Sequence, residues 1–271
     1  MHVRALRGSC CGNIPGIHML VTFTDFGLSG PYLGQVHAVF AAEAPQVPVI
    51  NLISDAPAFD PLASAYLLAA YSAGFPVGAV FFCVIDPGVG SERRPIMLST
   101  EKHHFIGPDN GLFDIVLRRA LKADGKDSWQ QPKAWAIDWR PDKPMSNSFH
   151  GRDLFAPVAA RMAIGLRVDA TPIDPATITR PDWPDSLPQI IYIDHYGNAL
   201  TGIFAEDIAE TAVLDLGGKT VSHGRVFSDV PVGQPFWYIN SNGLVEIAVN
   251  SGRADQALGL AIGHEITVRN D

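Results

Sequence analysis

The sequence predicts an α/β fold: an N-terminal α/β domain with a mostly parallel central sheet, then a smaller C-terminal all-β domain, a barrel or a sandwich. Three observations predict it. Strand-like and helix-like runs alternate through the first half of the chain. A stretch with Pro172, Pro175, Pro181, Pro184 and Pro188 follows. Beyond it come seven short alternating runs separated by Gly and Asn turns. Alternation of strand and helix is the pattern of a parallel sheet, and closely spaced short strands are that of a barrel or sandwich. The expected organisation is an irregular leader over 1–18, an α/β domain over 19–170, a linker over 171–188 and a β-barrel over 189–271.

The elements follow in order. MLVTFTDFG, Met19 to Gly27, reads as a strand that delivers Asp25 to its C-terminal edge. Gln35 to Ala44 suits a helix and Val47 to Leu52 a second strand. Asp55 to Ser64, with Phe59, reads as a loop, and Pro61 within it suits the first turn of the helix that follows to about Ala73. The apolar run Val80–Ile85 is the central, buried strand. It stops at Asp86, where Pro87-Gly88-Val89-Gly90 forces a tight turn. His104–Ile106 is another strand, leading through GPDNGLF into a helix, and Ala134–Asp138 is a further one. FHGRDLFAPVAA places His150 just ahead of a helix that Asp153 would cap. The seven β runs are IIYID, ALTGIF, TAVLDLGG, KTVSHGRVF, PFWYIN, LVEIAVN and EITVRN.

Composition narrows the function classes. With 271 residues, 47% hydrophobic and 18% charged, the chain has ample core for folded domains. A net charge of -8 argues against nucleic acid and against an acidic membrane surface as partners. No apolar run is long enough to span a bilayer, and residues 1–18 lack the apolar segment of a signal peptide. The three cysteines, Cys10, Cys11 and Cys83, match neither a disulfide framework nor a zinc site. A reducing, cytoplasmic compartment is expected.

The chemistry-bearing residues gather at the predicted strand ends and loops: Asp25, Asp86, Arg93, Asp109, Asn110, His150, Asp153, Asp194 and Asn198. Ligands of α/β sheets bind at the carboxyl ends of strands, which gives the series a functional reading. For Asp86 and Arg93 the structural alternative is an ion pair bracing a turn. No HxH, HExxH or CxxC spacing supports a metal, so none is expected. G-x-G-x-x-G and Walker A glycines are absent, which argues against dinucleotides and ATP hydrolysis. Asp25-Phe26-Gly27 and His150-Gly151-Arg152-Asp153 superficially match kinase motifs, but in reversed order and without the strand lysine. His195 and Tyr196 read as turn residues with partly packed rings. Phe227 and Trp237 read as core, with stacking on a planar base as the functional alternative for Phe227.

Six segments in register give a sharper reading: TDFG (24–27), VIDPGVGSERRP (84–95), GPDNGLF (107–113), FHGRDLFAPVAA (149–160), IDHYGNALT (193–201) and YINSNGLVEIAVN (238–250). Together they resemble the S-adenosylmethionine (SAM) hydroxide adenosyltransferases, relatives of the SAM-dependent fluorinase and chlorinase. The resemblance implies hydrolysis of SAM to adenosine and L-methionine, with SAM as substrate and no cofactor. It implies a homotrimer with SAM bound between subunits. Asp86, Arg93 and His150 match the hydrolase triad. Asp25 matches the carboxylate on the ribose hydroxyls, and Phe59 stands where the halogenases carry a tryptophan. Asp194 and Ser241 match residues on the methionine end, where Asn242 replaces an arginine of the fluorinase. Asn198 matches the reader of the adenine edge and Phe227 the ring stacked on it, with backbone near Asn250 and Ser251 completing the site. Gly151 stands where the halogenases carry a halide-binding serine. With an arginine beside it, Asp86 is expected to orient the water and His150 to accept its proton. The alternatives are a SAM-dependent halogenase, which a carboxylate at Asp86 opposes, and a non-catalytic SAM or adenosine sensor, which would not need the triad.

Overall fold

The computed structural model describes residues 19–123 and 131–269; the leader expected over 1–18, with Cys10 and Cys11, lies outside the described residues. The chain forms two compact units, the first from residues up to 59 and from 75 to 179, the second from 60–74 and 180–271.

The first unit is built on a seven-stranded sheet. Its strands are β1 (Met19–Thr24), β2 (Val49–Ile53), β3 (Ala79–Val84), β4 (Pro95–Ser99), β5 (His104–Pro108), β6 (Lys133–Ile137) and β7 (Ala170–Ile173), in the order β2-β1-β3-β5-β4-β6-β7. Strands β2, β1, β3, β5 and β6 run one way, and β4 and β7 run against them. The sheet is therefore mostly parallel, with an antiparallel flank that the sequence reading did not foresee. Strand β7 falls inside the stretch expected as linker. Helix α1 (Tyr32–Glu43) packs against α4 (Ala156–Ala163), and α4 lies on β1 and β3. Every residue of β3 is buried, as expected of a strand with parallel neighbours on both sides and helix cover.

The order of β1, β2 and β3 fixes where a ligand can bind. From β1 the chain goes to β2 on one side, and β3 then lies on the other side of β1. The crevice above the carboxyl ends of β1 and β3 is thus a topological switch point, where open α/β sheets hold ligands. Thr24 and Val84 are partners in the β1–β3 register, so Asp25 and Asp86 leave adjacent strands at this edge.

The second unit holds α2 (Pro61–Ser72), capped by the Asp60 carboxylate accepting from Ala63 N–H, and seven strands. One sheet runs β12 (Pro235–Ile239), β13 (Leu244–Val249), β9 (Ala199–Phe204), β8 (Leu187–Ile193); the other runs β11 (Thr220–Val221), β10 (Val213–Asp215), β14 (Thr267–Arg269). Two isolated bridges, Gln189 with Glu265 and His223 with Trp237, join the sheets at both ends. The ring is closed by these bridges, which makes the unit a small antiparallel barrel around Trp237, Ile247, Leu214 and Ile190. All seven predicted β runs are present.

Candidate active site

The site in the first unit is assembled by four loops. The first follows β3. Asp86 accepts from Arg93 Nε at 2.9 Å on each carboxylate oxygen, and Arg93 Nη2 donates to the same carboxylate. The pair is buried, with side-chain exposures of 4% for Asp86 and 9% for Arg93. Arg93 also lies 5.3 Å above the Phe155 ring. Its loop is braced by the GPDNG segment: Asn110 Nδ2 donates to Ile85 O at 2.8 Å, and Arg94 Nε donates to Asp109 at 2.8 Å. Asp109 and Asn110 therefore hold the loop rather than face a ligand.

The second loop brings His150. Arg93 Nη2 lies 3.1 Å from His150 Nδ1. A guanidinium can only donate, so Nδ1 accepts and the neutral ring carries its proton on Nε2. Burial, and then the Arg93 charge, hold the His150 pKa below its ordinary value. Asp153 does not cap the following helix, as the sequence reading expected. Its Oδ2 accepts from Ser146 N–H at 2.7 Å, tying down the loop that ends at His150, and Arg152 pairs with it. The helix begins instead with a π turn over Gly151–Phe155, a feature concentrated at functional sites. A Cβ on Gly151 would lie 3.1 Å from Phe26 Cζ and 3.3 Å from Phe149 Cε2, so aromatic rings already fill that space.

The third loop, after β1, carries Asp25, and the fourth, between β2 and α2, carries Phe59. Phe59 N–H donates to Asp25 Oδ2 at 3.0 Å, and Phe59 adopts a left-handed φ of 60° to do so. Strain of this kind gathers at functional sites. Burial raises the Asp25 pKa, and the nearby Asp86 charge adds to it. Asp25, Phe59, Asp86, Phe149 and His150 line one pocket of about 300 Å³, with Phe26 and Tyr32.

A second pocket, of about 660 Å³, lies wholly within the barrel unit. Asp194 and Asn198 stand at the β8–β9 turn, where Asp194 Oδ1 accepts from Asn198 N–H at 2.8 Å. Phe227 is 38% exposed on one side and packs edge-on against Phe236 at 5.0 Å. Trp237, by contrast, is fully buried core. Asn250 Nδ2 donates to Phe227 O at 3.0 Å and to Val230 O at 2.6 Å, so this amide secures the aromatic's loop. Ser251 lines the pocket with a left-handed φ of 57°. Tyr196 also lines it and is 73% exposed, rather than partly packed. Ser241 and Asn242 stand on the turn between β12 and β13, outside the walls of this pocket.

Residue types and geometry together match one family. The SAM hydroxide adenosyltransferase N-terminal domain matches residues 20–171 and the corresponding C-terminal domain matches 188–267. The chain belongs to the SAM hydroxide adenosyltransferase family. Among its relatives is an (R)-S-adenosyl-L-methionine hydrolase of Thermus thermophilus, 36% identical over 89% of this chain and 95% of the relative. A protein of the same name from Salinispora arenicola is 35% identical over 90% and 95%. A crystal structure of an uncharacterized conserved protein from Thermotoga maritima superposes with a TM-score of 0.75 at 27% identity, covering 93% of this chain and all of that one.

The sequence reading missed several side chains that line the barrel pocket, among them Glu246, Tyr238, Val249 and Arg253. A signal for Glu246 existed: it is the one acid in LVEIAV, a strand in which every residue is buried. Among the described residues no group of three His, Cys, Asp or Glu is arranged to hold a metal, and no helix is long and apolar enough to cross a membrane.

Proposed function

We propose that this chain hydrolyses SAM to adenosine and L-methionine by in-line attack of water on the ribose C5′. The observation that carries the reading is the buried Asp86–Arg93–His150 cluster, which opens on the same pocket as Asp25 at the sheet's switch point. One carboxylate oxygen of Asp25 takes Phe59 N–H, leaving acceptor capacity for a vicinal diol. As the O–C5′ bond forms, the C5′–S bond breaks and its electron pair returns to sulfur. Methionine leaves as a neutral thioether, so no acid is needed on the leaving group. What is needed is a positioned water and an acceptor for its proton.

The tautomer of His150 redistributes the roles expected from sequence. Its single lone pair is taken by Arg93, so Asp86 is the proton acceptor, and the outward Nε2–H is a donor that fixes the water. Arg93 stabilises hydroxide character on the attacking oxygen. Protonating His150 would set Nδ1–H against an Arg93 N–H and break the cluster. Because its pKa is depressed, the ring stays neutral at pH 7. The acid limb of kcat is therefore expected below the ordinary histidine midpoint of about 6.5, with activity falling as pH drops through it. A limb above that value would contradict the assignment.

In this reading the barrel pocket, together with the turn between β12 and β13, takes the rest of the substrate. Asn198 reads the adenine edge, Phe227 stacks on the ring, and backbone at Asn250 and Ser251 completes the contact. Asp194, Ser241 and Asn242 receive the methionine amino and carboxylate groups. The two pockets meet across subunits of a homotrimer, and the enzyme works in the cytoplasm without metal or cofactor. The isomer taken is the one named in the relatives, R at sulfur. A halogenase reading fails on two points: the Asp86 carboxylate repels a halide, and Phe26 and Phe149 occupy the space of a side chain at position 151.

The test is turnover of each sulfur isomer in oxygen-18 water, with and without chloride or fluoride. Label in the adenosine 5′-hydroxyl and no 5′-halo product is the expected result. SAM bound but recovered intact would overturn the proposal in favour of a sensor.

A further inference from the structure

Glu246 is buried, with 5% of its surface exposed, yet it contributes to the wall of the barrel pocket. Both its oxygens are engaged. Tyr238 Oη donates to Oε1 at 2.5 Å, and Asn240 Nδ2 donates to Oε2 at 2.9 Å. A carboxylate accepts and does not donate, so it dictates which way the Asn240 amide points. With Nδ2 committed to Glu246, Asn240 Oδ1 faces the other way. There it accepts from Asn242 N–H at 2.9 Å and from Leu244 N–H at 3.1 Å. Asn240 N–H and O close the same turn through Leu244 O and Gly243 N–H. One amide side chain therefore staples the turn from Asn240 to Leu244, and one buried acid sets that amide. The reversed amide would point two donors at two backbone N–H groups.

This turn carries Ser241 and Asn242. Asn242 bonds the Tyr71 hydroxyl, whose pKa is raised by burial and by the Glu246 and Asp194 charges. The Tyr238 hydroxyl is raised far above its usual range by burial and then by its bond to Glu246. Both phenols therefore stay protonated, with the Tyr238 hydrogen committed to Glu246. The acid, two phenols and two amides make one connected network with its outer end on the turn.

We propose that Glu246 is the positioning residue of the methionine end of the site, acting through Asn240 on the turn that bears Ser241 and Asn242. This rests on the reading of that turn as the methionine-binding segment. The adenine end is held chiefly by other contacts: Asn250 fixes Phe227 and Ser251, and the network reaches Phe227 through its edge-on packing with the Tyr238 ring at 5.5 Å. Perturbing Glu246 should therefore uncouple the two halves of the substrate.

The experiment measures inhibition of SAM turnover by L-methionine and by adenosine separately, in the wild type, Glu246→Gln and Asn240→Ala. In Glu246→Gln one acceptor oxygen replaces two: the amide either sets a donor against Asn240 Nδ2 or keeps that bond and turns Tyr238 Oη into an acceptor, and in both cases the charge-assisted hold on Asn240 is lost. Asn240→Ala removes the staple and leaves the acid in place. Both variants are expected to weaken inhibition by methionine by about 10–100-fold, the range for losing hydrogen bonds to a charged group. Adenosine inhibition should stay within about 3-fold, below 1 kcal/mol. Parallel loss for both inhibitors, or unchanged methionine inhibition in Asn240→Ala, would overturn the proposal. If Glu246→Gln does not fold, Asn240→Ala decides alone. Wild-type protein that does not turn over SAM would instead remove the functional reading, and that result appears before any variant is made.

Discussion

Asp86→Asn is expected to lower turnover at saturating SAM by about 10²–10⁴-fold, the usual contribution of a positioned acid or base. The substitution keeps shape and volume. It removes the carboxylate that, among the described residues, is the only one Arg93 contacts, and gives the position an NH₂ that meets guanidinium donors. Arg93 is then a buried cation without a counter-charge, and breaking such a pair costs about 3–5 kcal/mol of stability. Activity and thermal melting must therefore be measured together, with rates taken well below the melting transition. The Asp86 charge also raises the His150 pKa against the stronger effects of burial and Arg93. Its removal should carry the acid limb of the residual activity further down in pH. Full turnover in Asp86→Asn would show that the cluster is a structural ion pair.

Much of this fold was legible because its strands are chemically extreme. AVFFCV is apolar throughout and is buried throughout, and Asp86 and Asp25 end their strands as the sequence reading placed them. The barrel strands were legible for a different reason: Gly and Asn turns punctuate them at close intervals. What escaped was what depends on partners distant in sequence. Strand β4 lies between β5 and β6, and nothing local in PIMLS announces that it runs against its neighbour. Strand β7, ATPI, reads as part of a proline-rich linker because only its pairing with β6 makes it a strand. Asp153 has the sequence context of a helix cap, but a better donor, Ser146 N–H, is folded over it.

The candidate site divides in the same way. Asp86, Arg93 and His150 were legible as residues, yet the His150 tautomer follows only from the 3.1 Å contact with Arg93. The resemblance assigns backbone near Asn250 to the adenine and says nothing of its side chain, which secures the Phe227 loop. Among the described residues Phe59 and Ser251 are the two non-glycine residues with left-handed φ, and both stand at proposed substrate contacts. Backbone strain has no signature in residue type when the strained residue is not glycine.

Gly90→Ala is expected to damage both stability and rate, while Gly88→Ala, two residues away, should do little. Gly90 holds φ at +82°, and a Cβ there would sit 2.7 Å from Asn147 O. The obstacle is backbone, which cannot rotate aside. The left-handed conformation alone costs an alanine about 1–2 kcal/mol, and relieving the overlap requires the 86–93 loop and the 145–150 loop to separate. These are the loops that bring Arg93 to His150. A shift near 1 Å lengthens the 3.1 Å contact beyond hydrogen bonding, and misplacement on that scale costs on the order of 10²-fold in rate. At Gly88 the nearest atom to an added Cβ is Ser91 Oγ at 3.4 Å, the mobile end of a side chain. Melting temperature and kcat for the two variants provide the comparison. Equal effects would mean that the glycines serve only the turn itself. A large loss confined to Gly90→Ala would mean that the absence of one methyl group holds the triad together.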